Sequence, residues 1–211
     1  MSERNPAELC HWADQQAARI IKEKGDRDCY TCASGITPSG TVHIGNFREI
    51  ITVDLVARAL KDRGKNVRFI YSWDDYDVFR KVPANMPKPE VLEKYLRYPI
   101  TMVPDTFERD ENYARHHEKD IENQLPRVGI HPEFLYQADR YRANRYVEGM
   151  KKAMQNRNVI KECLNAYRDD EHKMDDSKEY WPVAAFCCKC NKDTTQITDY
   201  DGEYGITYIC Q

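Results

Sequence analysis

The stretch that most constrains this chain lies between residues 29 and 73. Cys29 to Ala33 (CYTCA) reads as a short buried strand, and Ser34 to Gly40 (SGITPSG) reads as a loop with two glycines and a proline. A helix then runs from about Ile44 to Arg63, with Phe47, Ile51, Leu55 and Ala59 on one face and Gly64 as its stop. Val67 to Trp73 (VRFIYSW) is the next strand. Two strands joined through a helix have to lie parallel, and the crossover has to be right-handed. The chain is therefore committed to an open α/β sheet, which binds its ligands at the carboxyl ends of the strands.

The rest of the chain extends the same pattern. Asn5 as N-cap, Pro6 and Glu8 open a first helix that carries Leu9, Trp12, Ala13, Ala17, Ile20 and Ile21 and ends at Gly25. Asp74, Asp75 and Asp77 follow the second strand, and Val82 to Pro89 is too rich in proline for regular structure, so a surface loop is expected there. Val91–Leu96 and Asn112–Leu125 read as helical, Glu133–Tyr136 as a third strand, and Asn144–Leu164 as helical with a break at 156–158. After Trp181 the texture changes to alternation over Thr194–Tyr200 and Glu203–Cys210, turning at Asp201-Gly202 as a hairpin. Residues 1–180 are thus expected to form an α/β domain, and 181–211 a cysteine-containing β insertion.

Charge and composition narrow the function classes. A formal charge of -3, from 32 Lys plus Arg against 35 Asp plus Glu, gives no global attraction for a polyanion, so any nucleic-acid contact has to be a local patch. The longest apolar stretch, Ile50 to Leu60, is interrupted by Thr52, Asp54 and Arg58, which excludes a bilayer-spanning helix. The first residues carry no apolar core of a signal peptide, and a cytoplasmic location is expected.

Residues Thr37 to Asn46 (TPSGTVHIGN) open a helix directly after a strand, where unsatisfied N–H groups and the positive end of the helix dipole meet anions. The spacing matches neither G-x-G-x-x-G nor G-x-x-x-x-G-K-[ST]. An imidazole at position 43 can donate to a phosphate oxygen, and Gly45 lets an adenine ring lie flat on the backbone. The competing reading is that His43 simply caps the helix and Gly45 allows tight packing.

This string resembles the HIGH-type signature of class I aminoacyl-tRNA synthetases. With Gly35 and Thr37 ahead of it and Asn46 in the last position, its full wording resembles the class I lysyl-tRNA synthetases, and the similarity runs on through Phe69 to Lys81 (FIYSWDDYDVFRK) and into the cysteine segment. The resemblance implies a Rossmann-like parallel sheet with flanking helices, plus the start of a zinc-ribbon-like insertion. It also implies ATP-dependent activation of lysine, helped by Mg2+, and transfer to tRNA(Lys). His43 and Asn46 would be catalytic, Thr37, Pro38 and Gly45 would join them in holding ATP, and Gly35 and Thr37 would contact lysine. From their own chemistry the aspartates after the second strand, Asp75 foremost, suit an ammonium group. The family's KMSKS-type signature and anticodon-reading helical domain are not found in these residues, since Lys173 to Lys178 (KMDDSK) carries an acidic pair and follows no strand. The chain thus reads as an incomplete catalytic unit. A lysine- or nucleotide-binding module without activity, or a HIGH-type nucleotidylyltransferase, are the alternatives.

Cys187 and Cys190 form C-x-x-C, and a hairpin leads to Cys210, where the second knuckle of a zinc ribbon would begin and a fourth cysteine is expected just past that point; a three-cysteine Zn2+ site completed by His172 or water, or one that recruits Cys188, is the alternative. Cys29 and Cys32 are expected to be two buried thiols, His116 and His117 to be solvated on a charged helix, Trp12 to be core and Trp181 to pack under the ribbon. Tyr141, Arg142, Arg145 and Tyr146 interleave aromatics with cations and suit either helix packing or an RNA acceptor stem.

Overall fold

A computed structural model describes residues 11–175 and 177–211. The elements are α1 (Trp12–Lys24), β1 (Tyr30–Ile36), α2 (Ile44–Asp62), β2 (Val67–Trp73), α3 (Pro89–Leu92), α4 (Tyr113–Glu122), β3 (Glu133–Tyr136), α5 (Gln137–Arg142), α6 (Val147–Gln155), α7 (Arg157–Asn165), β4 (Thr195–Tyr200) and β5 (Ile206–Cys210). β1, β2 and β3 form a parallel sheet in that order, with Tyr30 opposite Val67 and Ile70 opposite Glu133. β4 and β5 form a separate antiparallel hairpin.

The expected βαβ unit is present, with one displacement. β1 runs on to Ile36, so Ser34 and Gly35 are strand residues rather than the start of a loop. The reason lies at Gly35, where an added Cβ would come within 2.3 Å of the Ser72 carbonyl oxygen. Only glycine lets the two backbones pair this closely. The strand therefore delivers Thr37, instead of Ser34, to its carboxyl end.

One face of β2 is wholly buried, because side chains alternate across a strand: Phe69, Tyr71 and Trp73 pack with Ile50 and Ala57 of α2 and with Ile121, Leu125 and Ile130. Tyr71 and Trp73 meet edge to face at 4.9 Å. α2 is buried on a second side as well, where Ala59 and Leu60 meet Ala13 and Ala17 of α1. This explains why Ile50, Asp54 and Ala57 are more deeply buried than the expected Phe47 and Ile51 row. Buried Asp54 is tied by Arg58, which also reaches the Gly129 carbonyl.

The proline-rich segment 82–89 is irregular, as its composition requires, yet it is not all surface. Met86 is buried with Phe79, Leu92, Ile100, Val103, Tyr113 and Ala114 in a second core. Trp12 is 41% exposed instead of core, and Cys29 is exposed just ahead of β1, so the pair of buried thiols reduces to a half-buried Cys32. The N-cap expected at Asn5 lies outside the described residues; His11 caps the described start of α1. The break in the 144–164 helix falls at Asn156, between α6 and α7.

Candidate functional site: the crevice at the strand ends

The loop from β1 to α2 ends in a reciprocal cap. Gly45 N–H donates to Nδ1 of His43 at 3.0 Å, and His43 N–H donates to Oδ1 of Asn46 at 3.1 Å. An Nδ1 that accepts leaves a ring proton on Nε2, so His43 keeps an N–H donor on an exposed side chain. Gly45 is needed for this geometry: a Cβ there would lie 2.8 Å from Cε1 of His43. His43 and Asn46, expected as ligand contacts, form the cap of their own helix, as the competing reading of His43 required. Beside them Ile44 is 80% exposed, an apolar side chain left in water at a helix start. Pro38 is buried beneath the loop, and Tyr113 O–H donates to the Ser39 carbonyl at 3.0 Å, fixing the loop to α4.

A second link ties the strand to this helix. Glu49, one turn into α2, accepts the backbone N–H of Gly35 at 3.1 Å. Gly35 and Thr37 on one side and His43 and Asn46 on the other are thereby held in one frame.

Next to Thr37 opens a crevice of about 480 Å³, lined by Thr37, Asp74, Tyr76, Asp77, Gln137 and Tyr141. Its residues come from the carboxyl ends of β1, β2 and β3, where a parallel sheet places its ligands. Asp74 is exposed, its N–H donates to the Ile36 carbonyl at 2.9 Å, and its carboxylate accepts from Ser72 Oγ at 3.3 Å. Ser72 Oγ in turn accepts from Gln137 Nε2 at 2.6 Å, and the Gln137 carbonyl accepts from Tyr146 O–H. Asp77 is held by Arg80 through two hydrogen bonds at 2.8 and 3.1 Å. The crevice combines a carboxylate, a hydroxyl, an amide and aromatic rings, a set suited to a cation with an apolar stem.

Asp75 is placed differently from its neighbours. It is 4% exposed, accepts the Ala138 N–H at 2.7 Å, and lines a separate cleft with Glu111, Arg115 and Arg142. Burial raises its pKa. Its carboxylate clamps the end of β2 to the start of α5, whereas Asp74 faces the crevice that contains Thr37. Gln137, Tyr76 and Glu49 escaped the sequence reading, although the rule that ligands sit at strand ends would have pointed to Gln137, the residue directly after β3.

His116 and His117, expected in solvent, are 3% and 1% exposed. Phe107 stacks on His116 at 4.3 Å, Asp105 accepts from its ring, and the Arg109 guanidinium lies 2.7 Å from Nε2. The loop that covers α4 comes from 103–111, so helix periodicity alone could not reveal the burial. Both ring nitrogens of His117 lack a hydrogen-bond partner among the described residues, and burial pulls its pKa down to about 4. Glu118 beside it is fully buried, and burial pushes it up to about 7 against the opposing pull of Arg115. Arg115 binds both Glu118 and Glu122, and Glu122 also accepts from Trp73 Nε1 and Tyr136 O–H.

The three cysteines singled out from the sequence do converge. Sulfurs of Cys187, Cys190 and Cys210 lie within 4.8 Å of one another, with Cys190 and Cys210 at 3.5 Å. The N–H groups of Cys190 and Lys189 point at Cys187 and pull its pKa down to about 6. A thiolate set of this spacing fits a tetrahedral ion with bonds of about 2.3 Å. Cys188 is not part of the cluster and accepts from Tyr208 O–H at 3.2 Å, while His172 pairs with Asp169. The Arg157 guanidinium lies over the Trp181 ring at 5.1 Å, and Phe186 meets Tyr76 edge to face at 5.4 Å, joining the cysteine segment to the crevice wall. Lys173 of the KMDDSK string is engaged with Asp170.

Comparison with known proteins bears on this arrangement. The profile of the family described as tRNA synthetases class I (K) matches residues 10–211. A lysine-tRNA ligase from Treponema pallidum is 57% identical over 201 residues, 95% of this chain and 38% of the relative. Those from Borreliella burgdorferi and Pyrococcus furiosus are 54% and 42% identical, with 95% and 96% of this chain covered and 38% of each relative. The chain thus spans about 38% of the length of the curated relatives it matches. A match that takes in the capped loop, the crevice and the cysteine hairpin together leaves one assignment: the chain belongs to the class I tRNA synthetase family of the K type.

Proposed function

We propose that this chain carries the first half of the active site of a lysine-tRNA ligase. The observation that carries the reading is the juxtaposition of a capped helix start bearing an exposed His43 donor with an acidic, aromatic-walled crevice at the strand ends. In the activation step a carboxylate oxygen of lysine attacks the α-phosphorus of ATP and pyrophosphate leaves. In the transfer step a ribose hydroxyl of tRNA(Lys) attacks the carbonyl carbon of the adenylate, and AMP leaves. Neither step needs a protein nucleophile, so the work of the site is positioning and charge stabilisation. His43 and Asn46, with Gly45, Thr37 and Pro38, would receive the nucleotide, and Mg2+ would supply charge neutralisation for the leaving pyrophosphate. Gly35, Thr37 and Asp74 would receive lysine, the Asp74 carboxylate facing an ammonium. Asp75 would act on lysine only indirectly, by fixing the turn that carries Asp74. Zn2+ bound to Cys187, Cys190 and Cys210 would hold the hairpin shut; the division of the chain near residue 180 and a cytoplasmic location belong to the same reading. Among the described residues no helix is long and apolar enough to cross a membrane.

Titration calorimetry with a non-hydrolysable lysyl-adenylate analogue tests this. Binding is expected to fall at least about tenfold in Asp74→Asn, equivalent to about 1.4 kcal/mol, with thermal stability unchanged. Equal affinity of the variant for the lysyl and a norleucyl analogue would follow, because the lost group is the one that reads the charge. Undiminished lysyl selectivity in Asp74→Asn would sink the assignment.

A further inference from the structure

The cysteine segment grips the crevice wall at two points, one on each side of its C-x-x-C turn. Phe186, the residue before Cys187, is half-buried and meets the Tyr76 ring edge to face at 5.4 Å. Tyr76 lines the crevice with Asp74 and stacks on Tyr141 of α5, 5.0 Å between centroids and 25° between planes. On the other side of the turn, Asp193 N–H donates to the Arg97 carbonyl at 3.0 Å, and the Asp193 carboxylate lies 2.7 Å from the Arg97 guanidinium. Lys192 adds a contact over the Tyr98 ring at 5.6 Å. The segment held there is laced to the wall in turn: Arg97 N–H donates to the Phe79 carbonyl, Phe79 N–H to the Tyr98 carbonyl and Ile100 N–H to the Asp77 carbonyl, at 2.8 to 2.9 Å. Arg97 has a φ of 76°, a left-handed conformation unfavourable for a residue with a side chain, so its turn has to be held by its neighbours. Two independent contacts thus converge on residues 76–79. Between them the turn is closed on itself, Asn191 N–H donating to the Cys187 carbonyl and Cys187 N–H to the Lys192 carbonyl, both at 2.8 Å.

We propose that Phe186 and Asp193 are positioning residues for the crevice, through which a divalent metal held by Cys187, Cys190 and Cys210 sets the placement of Tyr76. The three sulfurs already lie within 4.8 Å of one another. Joined to one metal, they tie the C-x-x-C turn to the end of β5 and remove the freedom of the two residues that flank the turn. Phe186 then has one place to stand, and Tyr76, caught between Phe186 and Tyr141, has one as well. A wall placed before the ligand arrives costs less ordering on binding, so the metal tightens a site that it never touches. Linkage makes the effect reciprocal: a ligand in the crevice must tighten the metal by the same factor. For the identity of the crevice ligand the proposal rests on the lysine-tRNA ligase reading; for the coupling it rests on the contacts alone.

The test places fluorotyrosine at position 76 of the purified chain and follows its fluorine NMR signal as Zn2+ is added, with a second sample labelled at Tyr30 in the α1–α2 core as control. Binding of the metal itself is read with Co2+, from its thiolate charge-transfer absorption. Zn2+ is expected to move the Tyr76 signal and leave that of Tyr30 in place. Phe186→Ala and Phe186→Leu should lose the Tyr76 response while keeping the Co2+ absorption, Phe186→Tyr should restore it, and Asp193→Ala should weaken it. Absence of the Co2+ absorption, a Tyr76 signal indifferent to Zn2+ in the unaltered chain, or a response that survives in both the Ala and the Leu variants overturns the proposal. The lysyl-adenylate analogue, titrated with and without Zn2+, separates the two ideas. It is expected to bind about fivefold tighter or more with the metal, the low end of ordinary coupling between sites. Analogue binding that ignores Zn2+ removes the coupling alone, and a Phe186-dependent Tyr76 response without analogue binding removes the ligase reading alone.

Discussion

The belt around α4 and the crevice at the strand ends are built from the same residue types and use them in opposite ways. In the belt, Arg115, Glu118, Glu122, Asp105 and His116 are buried or half-buried and turned on one another. At the capped loop and in the crevice, His43 and Asp74 are exposed, the one held by Gly45 N–H and the other by Ser72 Oγ. A buried carboxylate or imidazole turned on its neighbours has spent its chemistry on holding the fold. What marks a site is a polar group whose orientation is fixed but whose outer valence is open.

The sharpest way to break the comparison is to unpair the belt. Arg115→Ala leaves Glu118 and Glu122 without their cation in a sealed environment, and a loss of about 3–5 kcal/mol in urea unfolding is expected. A loss under about 1 kcal/mol would show that water reaches the belt and that it is no more closed than the crevice.

A pH series sharpens the same point. Glu118 is raised from 4.5 to about 7, so the folded chain keeps a proton that the unfolded chain releases, and stability is lost as pH rises through that window. His117 is lowered from 6.5 to about 4, so the unfolded chain takes up the proton first and stability is lost as pH falls from 6.5 towards 4. Between about 4.5 and 6.5 the two slopes oppose each other. Glu118→Gln should leave a curve that rises with pH over this range, and His117→Gln one that falls, each by at most about 1.4 kcal/mol per pH unit. Chemical unfolding at several pH values reads both, and two unchanged curves would refute the burial assigned to these groups.

The smallest effect belongs to the capped loop at the start of α2. His43→Ala removes a helix cap worth about 1 kcal/mol, far less than the belt loses. Gly45→Ala forces the ring aside and should cost a similar amount in the presence of His43 but little in its absence, a non-additivity that a double-mutant cycle measures. Additive losses would mean that the ring is not held against Gly45.

How much of this was legible beforehand follows from the range of the forces involved. β2 and β3, with bounds at Val67, Trp73, Glu133 and Tyr136, follow from local alternation and were read correctly, as was the start of α2 at Ile44. The extension of β1 through Gly35 was not, because it depends on the closeness of Ser72 on another strand. In the site, the loop around His43 was legible as a string of residues, but its dual use as cap and donor is a matter of side-chain geometry. The separation of Asp74 from Asp75 was illegible for a related reason: adjacent side chains point opposite ways at a strand end, and only the position of Ala138 decides which one is clamped. His116 and His117 were misjudged because the segment that buries them precedes the helix and covers it from outside.

The order of the strands has a consequence for synthesis. β1, α2 and β2 are contiguous in the chain, while Ile70 meets its partner Glu133 only after the α3 and α4 segments have been made. A ribosome releases the chain from its amino end, and nearby contacts close at lower entropic cost than distant ones. The loop of His43 and the carboxylate of Asp74 therefore come together on a nascent chain that still lacks Gln137 and Tyr141, and the edge of β2 that β3 later covers stays open in the meantime. For this protein, the interval between making the Thr37 and Asp74 side of the crevice and making its far wall is the period of greatest exposure to wrong partners.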